Sequence, residues 1–132
     1  MRLHIRIPDY AQECTLRLNG KKIDFSDEKG YALIERIWEK EDELAVDLKY
    51  GIIREEAHPY VWENCYTMLH PEDRVAVRYG PFLYCAEAID NGDDVDFTIS
   101  KSDKLVRTGE GVITGKTTDG SVFRLIPYYK WN

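Results

Sequence analysis

Apolar and polar residues alternate with period two along most of this chain. Leu3, Ile5 and Ile7 share one face of a strand, Arg2, His4 and Arg6 the other, and Pro8 ends it. Leu16 and Leu18 alternate with Thr15 and Arg17. Asn19-Gly20 follows, ahead of Lys21 to Phe25. Asn-Gly between two strand-like runs predicts a tight hairpin, because a type I′ turn needs positive φ at both central positions. Gly30 opens a third strand, Tyr31 to Trp38. Glu39-Lys40-Glu41-Asp42 is a charged turn, and Glu43 to Lys49 then alternates through Leu44, Val46 and Leu48. A helix competes for residues 35–44, rich in Glu and Lys. That run has no N-cap and no apolar stripe at helical spacing, and strands flank it.

Residues 50–73 are less regular. Ile52-Ile53 suggests a short strand, Tyr60-Val61-Trp62 is too brief to assign, and Pro71-Glu72-Asp73 is a turn. From Arg74 to Asn91 runs "RVAVRYGPFLYCAEAIDN". It starts as a clean alternating strand, breaks at Gly80-Pro81, and resumes as Phe82-Leu83-Tyr84-Cys85-Ala86, apolar on both faces. Gly92-Asp93-Asp94 is another turn, and residues 95–110 carry little strand signal. Val112 to Thr117 and Ser121 to Tyr129 form a last hairpin around Asp119-Gly120. Strands every eight to twelve residues, with turns between them, predict an all-β fold. The expected architecture is an antiparallel β-sandwich, jelly-roll-like, with little or no helix.

Length narrows the organisation. The 132 residues suit one domain, expected over 1–132. A chain of this size can bury roughly two thirds of its unfolded surface. The net charge of -6 would repel a phosphate backbone, and no basic stripe overrides it. The longest apolar runs are too short to span a bilayer. Neither nucleic acid nor a membrane is therefore an expected partner. No apolar leader follows Met1-Arg2, so the chain is expected to be cytoplasmic, or else cut from something longer.

Candidate chemistry is sparse. Cys14, Cys65 and Cys85 make an odd count without a C-x-x-C pair, which leaves no zinc ribbon or thioredoxin motif. They read as free buried thiols of a reducing compartment. Cys85, among Leu83, Tyr84 and Ala86, lacks the electropositive niche of a nucleophile. His4, His58 and His70 have no metal spacing. The adjacent acids Glu55-Glu56, Glu72-Asp73 and Asp93-Asp94 would point to opposite strand faces, which is no glycosidase pair. Asp90 to Asp94 has oxygen ligands but lacks the calcium loop with its terminal Glu, so a plain turn is expected. No catalytic residue, metal or cofactor is assigned. The aromatics Tyr10, Tyr60, Trp62, Tyr66, Tyr128, Tyr129 and Trp131 lie near strand ends or in loops. They suit core or interface packing, or else stacking on a sugar. Trp62, Tyr66 and Trp131 are the candidates for carbohydrate.

Several stretches carry a resemblance. "LHIRIPDYA", "LRLNGK", "KGYALIERIWEKEDEL", "RVAVRYGPFLYCAEAIDN" and the closing "IPYYKW" span nearly the whole chain. In that order the chain resembles the C-terminal β-sandwich region of the bacterial glycoside hydrolase family 127, which includes β-L-arabinofuranosidases. The stretch from Arg74 to Asn91 is the most specific. One departure is Glu41-Asp42, where the family pattern has Gly-Asp. The resemblance implies that an (α/α)6 barrel, preceding the sandwich, carries the cysteine nucleophile, the zinc ligands and the acid/base glutamate. No stretch here matches those motifs, so none of those roles transfers. Cys85 matches a cysteine of the sandwich region.

The resemblance offers one reason for the doubly dry segment. One face would fill the sandwich core and the other meet a neighbour, which makes Phe82, Leu83 and Tyr84 candidates for interdomain packing. Alternatively both faces are covered within the domain, for example by residues 50–70. Gly80-Pro81 would be the corner where the strand bends or leaves its ladder, since a missing N–H is tolerated there. The expected role is a non-catalytic accessory β-sandwich of a family 127-like glycoside hydrolase, inactive alone. Its expected partners are the catalytic barrel of the same or a neighbouring polypeptide, or a second copy as a homodimer. The alternative is a free-standing carbohydrate-binding module that holds a glycan.

Overall fold

The structure is a computed structural model that describes residues 1–64 and 73–131. Every strand pairing in it is antiparallel. The chain divides into two compact units, Met1–Gly51 and Ile52–Asn132.

The first unit holds β1 (Arg2–Arg6), β2 (Ala11–Leu18), β3 (Lys21–Ile23), β4 (Ser26–Asp27), β5 (Tyr31–Glu35) and β6 (Leu44–Tyr50). They form two three-stranded sheets, ordered β1-β5-β4 and β3-β2-β6. Alternation decides which side chains meet. Leu3 lies opposite Ile34 and Ile5 opposite Ala32, while the Arg2, His4 and Arg6 face is exposed. Leu16 from one sheet and Ala32 with Ile34 from the other form the buried core, joined by Ile5, Ile23 and Leu44. Burying one such aliphatic side chain is worth about 1.5–3 kcal/mol. The ion pairs Arg2–Glu35 and Lys49–Glu13 are exposed and screened by water, so packing dominates.

Asn19 and Gly20 both have positive φ, 49° and 78°, and join β2 to β3 through Leu18 opposite Lys21, as the Asn-Gly pair predicts. The third strand is shorter than its pattern and stops at Glu35. The turn after it is held by Asp42. Its carboxylate accepts the Glu39 N–H at 2.9 Å and an Asn19 amide N–H at 2.8 Å, and pairs with Arg36 at 3.3 Å. Asn19 in turn accepts the Glu43 N–H at 2.8 Å. The residue beside the family departure at Glu41 therefore organises this turn.

The second unit holds β7 (Ile52–Glu56), helix α1 (Pro59–Asn64), β8 (Val75–Tyr79), β9 (Phe82–Cys85), β10 (Val106–Arg107), β11 (Ile113–Lys116) and β12 (Val122–Pro127). Its strands make one six-stranded sheet, ordered β10-β11-β12-β9-β8-β7. Two meanders, β7-β8-β9 and β10-β11-β12, are sewn together where Cys85 meets Ile126 and Tyr84 meets Pro127. Val77, Tyr84, Ile113, Phe123 and Leu125 are buried inside. Phe97, Ile99 and Leu105 pack over them, with Phe97 stacked on Phe123 at 5.0 Å. The Arg54 guanidinium pins this covering stretch by donating to the carbonyls of Ser100, at 2.6 Å, and Asp103. The region 95–110, loop-like by pattern, thus supplies part of the core and a two-residue strand.

Gly80-Pro81 is a hairpin turn, not a corner between ladders. Tyr79 pairs directly with Phe82 across a two-residue loop, and Gly80 takes φ 56°. Pro81 lies within that loop, where no ladder bond needs its missing N–H. The six-residue α1, with no buried residue, encloses Tyr60-Val61-Trp62. No helix among the described residues is long and apolar enough to cross a membrane.

Candidate functional site

Hairpin geometry builds one end of the second unit. Val75, Val77 and Tyr79 alternate onto one face of β8, and Phe82 and Tyr84 onto the same face of β9. Tyr84, paired with Val77, is 6% exposed, whereas Phe82, paired with Tyr79 beside the turn, is 44% exposed. The strand thus runs out of the core along a single face. Leu83 points to the other face and is 50% exposed. The 3₁₀ turn Tyr128–Lys130 follows β12 and sets the Tyr129 ring edge-on to Phe82 at 5.5 Å. Tyr128 and Trp131 stack on each other at 5.7 Å, and both are exposed. Each such ring pair adds about 0.5–1.5 kcal/mol beyond its burial.

Arg107 joins this end from β10. Its guanidinium lies 4.4 Å over the Tyr79 ring, and its Nε–H donates to the Tyr84 hydroxyl at 3.3 Å. The buried Tyr84 O–H donates to the Gly111 carbonyl at 2.7 Å. Nothing local marks Arg107 in the sequence. Only its pairing with Ile113, whose side chain is fully buried, turns it toward Tyr79 and Tyr84.

The same unit also contains a cavity of about 560 Å³. Its walls are Val75, Val77, Tyr84, Phe97, Phe123 and Leu125. At its edge Arg74 pairs with Asp96 at 3.0 Å. Asp73 and Thr98 also line it, so apolar walls and polar groups are mixed there.

The sequence candidates scatter. Phe82 and Leu83, candidates for interdomain packing, are both exposed. Tyr84, grouped with them by its sequence neighbours, faces the core instead, because its hydroxyl finds Gly111 and its ring meets Val77. Trp62 lies exposed on α1 and Trp131 beside Tyr128, with no contact bringing the two together. Tyr66 lies outside the described residues, as do Cys65, His70 and Glu72.

The titratable groups follow their surroundings. Cys85 is half-buried, and burial, then the charge of Glu87, pushes its thiol up, away from the thiolate. Cys14 is raised likewise by burial and Asp47. Glu55 pairs with Arg78, and Glu56 with Lys101 at 2.6 Å, so these neighbours part as alternation requires. His4 is exposed and meets the edge of Tyr31, and His58 accepts the Tyr60 N–H. Among the described residues no three His, Cys, Asp or Glu side chains come together as a metal site. The described residues therefore do not fit the zinc that the family resemblance implies elsewhere.

Antiparallel sheet throughout, with an aromatic surface on the second unit, defines a strand-built domain pair. The model of the glycoside hydrolase family 127 C-terminal domain matches residues 54–132, and that of the β-L-arabinofuranosidase GH127 middle domain matches residues 1–50. The chain belongs to glycoside hydrolase family 127. The junction of the two matches falls where the chain divides, at Gly51–Ile52. Among solved structures the chain is similar to a GH127 β-L-arabinofuranosidase from Geobacillus stearothermophilus T6, with 29% identity and a TM-score of 0.74. It is also similar to a protein described as a glycoside hydrolase, at 28% and 0.73, and to a GH127 β-arabinofuranosidase, at 25% and 0.55. Each match covers 98% of this chain but only 24%, 25% and 22% of the respective relative. No curated protein matches the chain.

Proposed function

We propose that this chain is an accessory region of a family 127 glycoside hydrolase, one that braces a catalytic barrel and takes no chemical part in hydrolysis. The observation that carries this is coverage. Both matching models are named for middle and C-terminal domains, and the chain spans about a quarter of the solved enzymes it resembles. The outward Phe82, Leu83 and Tyr129 support a docking role, since aromatic anchors dominate interfaces. The catalytic barrel of the same or a neighbouring polypeptide is the proposed partner, and the activity of the whole is hydrolysis of β-L-arabinofuranosides.

The test is turnover of a chromogenic β-L-arabinofuranoside. The chain alone is expected to give no release above the buffer rate. Clear turnover that survives repurification would end this reading.

A second reading, a glycan-binding module, draws on the exposed, mutually stacked Tyr128 and Trp131. Titration with arabino-oligosaccharides, followed by NMR, separates the two. Shifts clustered on the indoles of Trp62 and Trp131 would favour glycan binding. A flat response would favour the accessory role.

A further inference from the structure

Most cations of this chain whose side chains meet a partner meet an acid. Arg2 pairs with Glu35, Arg36 with Asp42, Arg74 with Asp96, and Arg78 with Glu55. Among the described residues, the partners of Arg107 are tyrosines. One face of its guanidinium is occupied by Tyr79, and its Nε–H by the Tyr84 hydroxyl. Among the described residues no carboxylate or carbonyl meets its terminal amino groups. This occurs in a chain where acids outnumber bases by 24 to 18.

The arginine is also held in place. Stacking on Tyr79 fixes the plane of the fork, and Tyr84 is itself anchored on Gly111. A guanidinium fixed in this way has lost much of its freedom before any partner arrives, which lowers the entropy cost of binding. Beside it stand Phe82, paired with Tyr79, and Tyr129, packed on Phe82. An arginine fork flanked by exposed aromatic rings has the composition of an interface hot spot. Its chemistry selects a carboxylate, held through paired N–H bonds, with apolar groups to either side.

We propose that Arg107, Phe82 and Tyr129 form a receptor for an aspartate or glutamate flanked by aliphatic side chains, carried by the remaining part of the longer polypeptide. Two observations select this occupant. The fork carries a positive charge that no acid among the described residues of its unit complements. The solved relatives are about four times as long as this chain, since it covers 24% of one and 25% of another. The proposal deepens the accessory reading and rests on it, by naming the chemistry of the docked partner.

The chain is titrated with acetyl-Leu-Asp-Leu-amide and, in parallel, acetyl-Leu-Asn-Leu-amide, with NMR of the Arg107 Nε–H and the Tyr129 ring. The aspartate peptide is expected to shift both groups, and the asparagine peptide to bind about tenfold more weakly, since it lacks the charge-assisted pair. Arg107→Lys keeps the charge but loses the fork, so the preference should shrink. Arg107→Ala should abolish it. If that variant does not fold, Tyr129→Ala, which removes a ring 66% exposed, should still weaken the aspartate peptide severalfold. Equal response to both peptides, or no response, would overturn the proposal. Free galacturonate shifting the same groups when the peptide does not would overturn it in favour of an acidic sugar. A failure of this kind is distinguishable from failure of the accessory reading, whose own test is turnover of an arabinoside by the chain alone.

Discussion

The two units bury different cores, aliphatic in the first and partly aromatic in the second, and finish their surfaces differently. The first closes its hairpin end with polar bonds. Asn19, Glu39, Asp42 and Glu43 satisfy one another there, and Arg36 neutralises the Asp42 carboxylate. The second ends its β8–β9 hairpin in Phe82, with Tyr129 packed on it and Leu83 on the outer face, and leaves these three to solvent. A polar closure is complete in water, because each group has a partner. An aromatic end gains more from being covered, since apolar surface of that kind is the usual material of an interface. The contrast makes the second unit the place to look for a partner, and it can be broken by substitution.

Phe123→Ala should cause the largest loss. The ring is 1% exposed and stacked on Phe97, so its removal leaves a cavity worth about 3–5 kcal/mol. Hydrogen exchange of the β11 and β12 amides should accelerate accordingly. Unchanged protection would mean that the core of the second unit is not the one described.

A smaller effect is expected at Asp42, and it depends on pH. The Glu39 N–H and the Asn19 amide, more than Arg36, hold its carboxyl below the usual carboxylate range. A carboxyl lowered on folding contributes stability that is fully present above its unfolded value, about pH 4. That contribution is lost as pH falls through the lower folded value. Asp42→Asn should therefore be less stable than the parent at neutral pH, with the gap closing in acid. A gap independent of pH, measured by urea unfolding of the first unit, would remove the carboxylate from the account of that turn.

The least change in the isolated chain should follow Phe82→Ser with Leu83→Ser. Both side chains are about half exposed, so the loss of the Phe82–Tyr129 ring contact, about 0.5–1.5 kcal/mol, should account for most of the cost. In a polypeptide that includes the barrel, the same pair should cost far more. An equal cost in both contexts, read by thermal unfolding, would mean that this surface covers nothing.

Much of this was legible in residue order. Leu3 and Ile5 against Arg2, His4 and Arg6 predict β1, and Asn19-Gly20 predicts the first hairpin. Other features were not. Gly80-Pro81 reads as a break, because the apolar stretch beyond it hides the two-residue loop that pairs Tyr79 with Phe82. Phe97, Ile99 and Leu105 follow no regular spacing, yet they cover the core of the second unit. Tyr84 and Phe82 share one face of one strand, and no periodicity separates the buried ring from the exposed one. Arg107 sits in a stretch without alternation, so its place over Tyr79 could not be foreseen.

Residue order alone determined the strands, the Asn-Gly turn, the lack of the 3.6-residue apolar spacing that long helices need, and the resemblance to family 127. These depend on backbone sterics and near neighbours, which the chain carries wherever it folds. Only the tertiary structure decided the division at Gly51–Ile52, the depth of each aromatic along β9, and the meeting of Arg107 with Tyr79 and Tyr84. Depth and cross-strand encounters depend on residues distant in the chain, and a period of two fixes a side chain's face without fixing what stands opposite it.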